Sequence, residues 1–149
     1  MVQNRKIRKV AVLGSGVMGS RIACHFANIG LDVLLLDLKN FPKSKESEEG
    51  KDAHVAAGAL KSALKSNPSP IYSKKFANRI KVGNFDDDLH KIKDADWVIE
   101  VIIERLDLKK ELFDKVEEHR KPGTLITSNT SGIPIEMMLE GRSEDFAAH

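Results

Sequence analysis

The chain has little cysteine, few aromatic side chains and almost no net charge, and each shortage excludes a class of protein. Its 149 residues contain one cysteine, Cys24, so neither a disulfide framework nor a cluster of cysteine metal ligands can form. No apolar run approaches the roughly 18 residues that a membrane-spanning helix needs. The net charge is +2 and 5% of residues are aromatic, which argues against a nucleic-acid surface of basic and stacking side chains. We therefore expect a cytoplasmic protein that binds neither membrane nor nucleic acid.

What the chain does have is an alternation of short apolar runs with helical patterns, which is typical of parallel βαβ units. Five such runs predict strands, at residues 10–13, 33–36, 79–82, 96–103 and 124–127. The length suits a single domain. We predict an α/β fold with a doubly wound, mostly parallel sheet, formed by residues 1–149 as one domain.

A glycine-rich turn links the first predicted strand to the first predicted helix. Gly14 allows a tight turn, Gly16 lets the backbone approach a ligand, and Gly19 lets the helix pack closely on the sheet. The free N–H groups at the start of the helix, those of Val17 and Met18 among them, favour bound phosphate oxygens. Strand, turn and helix in this order predict a Rossmann-type dinucleotide site with its pyrophosphate at residues 14–19.

An acidic residue ends the second predicted strand at a distance that fits such a site. Asp37 stands 37 − 14 = 23 positions after Gly14, close to the spacing of about 20 expected for the carboxylate that binds the adenosine ribose. A carboxylate there repels a 2′-phosphate, so NAD is favoured over NADP, although Lys39 could soften that preference. The alternative is a structural glycine turn with an exposed aspartate at a strand end.

Helical patterns follow the glycine turn and precede the third strand. After Gly16, apolar side chains recur at steps of four, four and three, and we expect this stripe to face the core. The stripe consists of Met18, Ile22, Phe26 and Ile29, and Gly30 ends the helix, predicted over 17–27. Residues 48–65 form a second, alanine-rich pattern, which predicts a solvated helix.

Three consecutive aspartates, residues 86–88, allow two interpretations. At the start of a helix they complement its dipole and cap free N–H groups. They might be taken for a metal site, but adjacent aspartates rarely converge on one octahedral ion. The first interpretation is favoured, and we predict no metal.

Polar residues follow the predicted fifth strand, at the edge where parallel strands end. Ser128, Asn129 and Ser131 are well placed there to hydrogen-bond a nicotinamide ribose or a substrate hydroxyl. Capping of the next helix, predicted over 135–139, explains the same residues equally well. Spacing alone leaves both interpretations open.

His149 is the only histidine at the end of a predicted strand, which begins near residue 145. An enzyme that removes hydride from an alcohol needs a group to take the hydroxyl proton, and imidazole suits that task near neutral pH. A single histidine in this position is more often without chemistry. By spacing it is only a candidate base.

Four motifs together carry a family resemblance. They are residues 9–19, the acidic strand 97–104, the helix start 108–113 (LKKELF) and the turn 128–131 (SNTS). In this order they resemble the 3-hydroxyacyl-CoA dehydrogenases of fatty acid β-oxidation, nearly end to end. The resemblance implies that Asp37 holds the adenosine ribose and that Glu104 and Lys109 contact the cofactor. It further implies that Ser131 hydrogen-bonds the 3-oxygen of the substrate and that His149 is the catalytic base.

The implied reaction is NAD-dependent oxidation of an (S)-3-hydroxyacyl-CoA to the 3-oxoacyl-CoA. The glutamate that orients the histidine in this family, and the helical C-terminal domain that covers the acyl-CoA and forms the dimer, are not within these 149 residues. We therefore expect the cofactor-binding half of a larger homodimeric or bifunctional enzyme, weakly active or inactive by itself. Lys61 and Lys65 are candidates for a CoA phosphate, or simply exposed helix lysines.

Two other functions fit the same residues. One is a dehydrogenase of the same architecture that acts on a free hydroxy acid or sugar acid. The other is a non-catalytic module that senses NAD(H), in which His149 would be dispensable.

Overall fold

A five-stranded parallel sheet forms the centre of the structure, a computed structural model that describes residues 5–39 and 55–149. The strands are β1 (Lys9–Leu13), β2 (Asp32–Asp37), β3 (Ile80–Asn84), β4 (Trp97–Glu100) and β5 (Leu125–Ser128). Their order is β3-β2-β1-β4-β5, and each neighbouring pair is parallel. The chain moves outward from β1 through β2 to β3 and then crosses to β4 on the other side. This reversal confirms the doubly wound fold and opens a crevice at the carboxyl ends of β1 and β4.

Six α-helices accompany the sheet among the described residues. They are α1 (Val17–Asn28), α2 (Val55–Lys65), α3 (Phe85–Asp88), α4 (Leu106–His119), α5 (Ile135–Leu139) and α6 (Glu144–Ala148). Short 3₁₀ helices occupy Lys74–Arg79 and Leu89–Asp94. None of the helices in the described ranges is long and apolar enough to cross a membrane.

Alternate residues of β1 face two separate hydrophobic clusters. Val10 and Val12 join one cluster with α1 and α2, whereas Ala11 and Leu13 join the other with α4 to α6. The sheet is therefore covered on both faces, which explains why its central strands are almost wholly apolar.

The stripe predicted to bury α1 is wrong at both of its ends. Met18 and Ile29 are 53% and 60% exposed, and only Phe26 of the four is buried. The residues that face the sheet are mostly small: Gly19, Ser20, Ala23, Cys24, Phe26 and Ala27. Because α1 packs closely on β2 and β1, its inner face has no room for a row of long side chains. Gly30 follows the helix with φ +94°, as the predicted stop requires.

The strand predicted to begin near residue 145 is instead the short helix α6. Ser143 starts it by accepting a hydrogen bond from Phe146 N (3.2 Å), and two acidic residues occupy its first turn, where they favour a helix. Phe146 packs edge-on against Phe113, with ring centroids 5.5 Å apart. His149 follows the helix, and its carbonyl accepts a hydrogen bond from Ile126 N of β5 (3.0 Å).

Of the predicted helix at residues 48–65, the structure describes the part from Val55 onward, as α2, and residues 48–54 lie outside the described residues. Ala56 and Ala63 are its buried residues. Lys61 and Lys65 are exposed. The helix is thus largely solvated, with a narrow face on the core.

The three aspartates form most of α3, which Asn84 caps. The Asn84 Oδ1 atom accepts hydrogen bonds from the backbone N–H groups of Asp86 (2.9 Å) and Asp87 (2.8 Å). The cap is therefore the residue before the acidic run, and the aspartates occupy the first turn. The described residues contain no group of three or more His, Cys, Asp or Glu that could hold a metal ion.

Candidate cofactor and active site

The glycine turn after β1 has the geometry predicted from its sequence. Gly14 has φ +112°, and a Cβ there would overlap the carbonyl oxygen of Val101. A Cβ on Gly19 would overlap the carbonyl oxygen of Gly14. Both positions therefore require glycine, one for the turn and one for the close contact between α1 and the turn.

The start of α1 offers backbone donors to an anion. Ser20 N donates to Gly16 O (3.0 Å) as the first hydrogen bond of the helix, so the preceding N–H groups lack partners within it. A Cβ on Gly16 would meet no atom within 4 Å, and Val17 and Met18 are exposed beside it. These residues fit a bound diphosphate because donors, helix dipole and open space coincide.

Asp37 lies at the carboxyl end of β2 and is tied to the glycine turn. Its Oδ2 atom accepts hydrogen bonds from Ser15 N and Ser15 Oγ, both 2.6 Å long. Its Oδ1 atom accepts one from Leu38 N (2.7 Å). The carboxylate is half-buried, and ionised oxygens in this position suit the hydroxyls of a ribose.

Lys39, which could weaken the preference for NAD, lies beside an acidic residue of the neighbouring helix. Its Nζ atom is 2.9 Å from Asp87 Oδ2. Asp37 pairs in register with Asn84, so α3 and the end of β2 share the same edge of the sheet.

A cleft of about 830 Å³ opens beside this turn. Its walls come from the glycine turn, the end of β2, α2, the segment after β4, and α4. The lining includes Ser15, Gly16, Asp37, Ala59, Val101, Ile103 and Leu112. Its size and apolar walls suit a nucleotide base and sugar. The cleft thus brings together the predicted residues Gly16, Val17 and Asp37, whereas Glu104, Asn129 and Ser131 do not line it.

A buried ion pair joins β4 to α4. Lys109 Nζ lies 2.7 Å and 2.8 Å from the two carboxylate oxygens of Glu100, and the side chains are 1% and 0% exposed. Ile102 N also donates to Glu100 Oε1 (2.7 Å), and Ser128 Oγ donates to Glu100 Oε2. Such a pair is tolerated because its polar atoms are satisfied.

Glu104 holds the loop after β5. Its Oε1 atom accepts hydrogen bonds from Thr130 Oγ1 (2.5 Å), Ser131 N (3.2 Å) and Gly132 N (3.0 Å). Its Oε2 atom lies 3.3 Å from Lys109 Nζ. The hydrogen bond from the Thr130 hydroxyl, those from the Gly132 and Ser131 amides, and Lys109 lower the pKa of Glu104 to about 2.

Asn129 and Ser131 lie in this loop with exposed side chains. Asn129 N donates to the Glu100 carbonyl (2.8 Å), and neither residue caps α5, whose N-cap is Pro134. The capping alternative is therefore wrong. Both side chains face solvent, where a ligand has access to them.

His149 is placed by α6 and not by the end of a strand. Its Nδ1 atom lies 2.8 Å from the carbonyl oxygen of Asp145 and 3.4 Å from Asp145 Oδ1. Since a carbonyl only accepts, Nδ1 is the donor in this contact, so in the neutral ring Nε2 is the acceptor. Among the described residues, no hydrogen bond joins His149 to Ser131.

Sequence reasoning did not single out Glu100, and it grouped Ser128 with the residues that could hydrogen-bond a ligand, whereas the Ser128 hydroxyl donates to Glu100. A signal was present, because Glu100 is an acidic residue within an otherwise apolar strand. A buried carboxylate requires a hydrogen-bonding or charged partner, and the helix that follows β4 contains lysines. The spacing does not show that the partner is Lys109.

Comparisons with known proteins agree with this geometry. Residues 9–148 match the family model for the NAD-binding domain of 3-hydroxyacyl-CoA dehydrogenase. A probable 3-hydroxyacyl-CoA dehydrogenase of Bacillus subtilis is 50% identical over 154 residues, which cover 98% of this chain and 20% of that protein. One of the same name from Deinococcus radiodurans is 47% identical, over 95% of this chain and 39% of that protein.

A solved structure shares the fold. The crystal structure of 3-hydroxybutyryl-CoA dehydrogenase from Escherichia coli K12 matches with a TM-score of 0.72 and 30% identity, over 94% of this chain and 28% of that one. Relatives also include a trifunctional enzyme of a fatty acid oxidation complex from Rickettsia felis. The chain spans between 18% and 39% of the length of these four relatives. It belongs to the 3-hydroxyacyl-CoA dehydrogenase family, as the family's NAD-binding domain.

Proposed function

We propose that the chain binds NAD across the carboxyl edge of its sheet, with the diphosphate at residues 14–19 and the adenosine ribose on Asp37. The observation that carries this proposal is the contact between Asp37 Oδ2 and Ser15 (2.6 Å), which joins the residue proposed for the sugar to the turn proposed for the diphosphate. Gly16, Val17 and Met18 offer the N–H groups, while Gly14 and Gly19 fix the turn. The cofactor, when bound, supplies a hydride acceptor.

We propose that the reaction served is oxidation of an (S)-3-hydroxyacyl-CoA to the 3-oxoacyl-CoA. In this scheme His149 Nε2 takes the proton of the substrate hydroxyl, since the other ring nitrogen is engaged with the Asp145 carbonyl. The Ser131 hydroxyl orients the same oxygen, and Asn129 contacts the nicotinamide ribose. Glu104, which is 43% exposed, contacts the cofactor in this scheme, whereas Lys109, 1% exposed and paired with Glu100, supports Glu104 from beneath. Positioning supplies most of the catalysis.

The partners belong to the same proposal. Because the chain spans 20% and 39% of two relatives, we propose that the acyl-CoA is bound largely by regions outside the shared span. A homodimer or a bifunctional β-oxidation enzyme would then contain this domain. We also propose a cytoplasmic location, supported by a single cysteine, Cys24, which is buried and free.

Titration of the 149-residue chain with NADH, followed by calorimetry and by nicotinamide fluorescence, tests the cofactor proposal. We expect saturable binding at one site. Absence of heat and of any fluorescence change would refute it.

The proposed reaction is tested in the natural protein that contains this chain. We expect turnover of (S)-3-hydroxybutyryl-CoA, much slower turnover of the free hydroxy acid, and loss of turnover in His149→Gln with NADH binding retained. A matched control is His25→Gln, an exposed histidine on α1. Equal rates on the acid and its CoA ester would favour a free-acid dehydrogenase. Full activity of His149→Gln would refute His149 as the base, and NADH binding without turnover in the unaltered protein would favour a sensing module.

A further inference from the structure

The hydrogen bonds around Glu100 form a closed circuit that begins and ends in the loop after β5. Thr130 N donates to Ser128 Oγ (3.2 Å), and Ser128 Oγ donates to Glu100. Glu100 binds Lys109 Nζ (2.7 Å), which lies 3.3 Å from Glu104. Glu104 then accepts from Thr130 Oγ1 and from two loop amides. We call these five residues the Glu100 circuit.

The circuit holds the loop from two sides through one buried centre. Glu100 and Lys109 are almost fully buried, whereas Glu104 is 43% exposed. A shift of the buried pair would therefore disturb both sets of hydrogen bonds that hold the loop, those through Ser128 and those through Glu104. A buried network whose polar groups are all hydrogen-bonded stabilises one conformation of the residues it joins over alternative conformations.

The loop lies on one side of the dinucleotide crevice. β1 is in the middle of the sheet, β2 is on one side, and β4 and β5 are on the other. With the diphosphate at the end of β1 and the adenosine at the end of β2, the other half of a dinucleotide extends toward β4 and β5. This step rests on the proposed NAD binding.

We propose that Glu100 is a positioning residue for the nicotinamide half of the site. It acts through Lys109 and Ser128 to hold residues 129–132, so that Asn129 and Ser131 present their side chains to the cofactor and the reacting oxygen. Glu100 itself, fully buried, touches neither. The adenosine half, built on Asp37 and the glycine turn, is independent of the circuit.

A pair of hydroxyl deletions on neighbouring residues of β5 tests this division. Ser128→Ala removes a link of the circuit. Thr127→Val removes a hydroxyl that accepts a hydrogen bond from Trp97 Nε1 (2.9 Å) outside the circuit. For each variant of the 149-residue chain, calorimetry gives the dissociation constants of NADH and of ADP, which lacks the nicotinamide riboside.

We expect Ser128→Ala to weaken NADH binding about threefold to tenfold, the fold-change of one ordinary hydrogen bond, because the lost bond acts on the cofactor only through the loop. Its ADP dissociation constant should stay within about twofold of the unaltered chain. Thr127→Val should leave the ratio of the two constants unchanged. If Ser128 had a purely structural role, its replacement would raise the dissociation constants of NADH and ADP by the same factor.

Glu100→Gln also breaks the circuit, so its NADH binding should weaken more than its ADP binding. Circular dichroism checks that this variant is folded. Equal weakening of NADH and ADP in Ser128→Ala, no weakening of either, or failure of Ser128→Ala to fold would each overturn the inference. If the unaltered chain bound neither ligand, the proposed function itself would fall, which is a distinct result.

Discussion

Ser15 donates two hydrogen bonds to Asp37 Oδ2, one from its backbone N–H and one from its hydroxyl, each 2.6 Å long. The end of β2 and the glycine turn are thereby joined through a single carboxylate oxygen. The other oxygen, Oδ1, bonds to Leu38 N. Loss of this carboxylate would remove the proposed ribose acceptor and free the turn at the same time.

Replacing Asp37 with alanine should therefore weaken NADH binding about tenfold or more, as expected for lost hydrogen bonds to a charged group. Asp32→Ala is the matched control, because Asp32 is an exposed aspartate at the opposite end of the same strand. The dissociation constants come from fluorescence titration. Equal affinities of the Asp37→Ala and Asp32→Ala chains would contradict the assignment.

We expect the preference for NAD over NADP to depend on which charges surround Lys39. Asp87→Asn removes the carboxylate beside its ammonium group, so Lys39 becomes more available to a 2′-phosphate and one repulsive charge is lost. We expect the ratio of NADPH to NADH affinity to rise about threefold, a modest change because both side chains are half exposed. Asp86→Asn, on the same turn, is the control. An unchanged ratio in Asp87→Asn would assign no part to Lys39.

The close contact between Gly19 and Gly14 leads us to expect that a side chain at residue 19 lowers the stability of the fold. Gly19→Ala should lower the free energy of unfolding by about 1–3 kcal/mol, because backbone must shift to admit the methyl group. Gly58→Ala, in α2 where a Cβ meets nothing within 4 Å, should raise it by about 0.5–1 kcal/mol. Urea unfolding of both variants measures the two effects. The same sign for both would contradict the packing argument.

Because Glu100 and Lys109 are buried together, we expect replacing Lys109 alone to lower the stability more than replacing both residues. Lys109→Met leaves Glu100 buried without its counter-ion and should cost about 3–5 kcal/mol of stability. Adding Glu100→Gln removes the remaining charge and should restore part of that loss. Lys115→Met, which breaks an exposed pair with Glu111, should cost less than about 1 kcal/mol. If the double variant proved no more stable than Lys109→Met, the uncompensated charge would not be the cause.

Glu104 gives the stability a dependence on acid pH. Its folded-state pKa of about 2 lies below the ordinary value of 4.5, so its contribution is fully present above pH 4.5 and is lost as the pH falls toward 2. Glu104→Gln should flatten the stability curve in that window. Some slope should remain, because hydrogen bonds and Lys121 hold the pKa of Asp96 at about 2 despite its burial. Glu118→Gln, at an exposed position of α4, is the control. Parallel curves for the Glu104→Gln and unaltered chains would contradict the role of this carboxylate.

The features that the sequence predicted correctly are local ones. The strand, glycine turn and helix are consecutive, and Asp37 ends the next strand, so spacing alone places the turn and Asp37 at the same edge of the sheet. Five parallel strands were likewise visible as apolar runs, although β4 ends at Glu100 and the rest of its predicted run, residues 101–103, leaves the sheet.

The features it missed depend on distant contacts. Met18 and Ile29 follow helical spacing, yet the close approach of α1 to the sheet selects small residues for the inner face. The segment before His149 has apolar residues that suit a strand, but packing of Phe146 against Phe113 and a serine cap produce α6. The partners of Glu100 come from α4 and β5, and no spacing rule links them.

Gly14 and Gly19, the first and third glycines of the residue 14–19 turn, lie so close together that a Cβ on Gly19 would overlap the Gly14 carbonyl oxygen. The geometry of this turn is therefore set by contact between main-chain atoms, and neither residue supplies a side chain as a spacer. A substitution elsewhere in the interior leaves that contact in place, so we expect a variant of lower overall stability to keep the shape of the proposed coenzyme site.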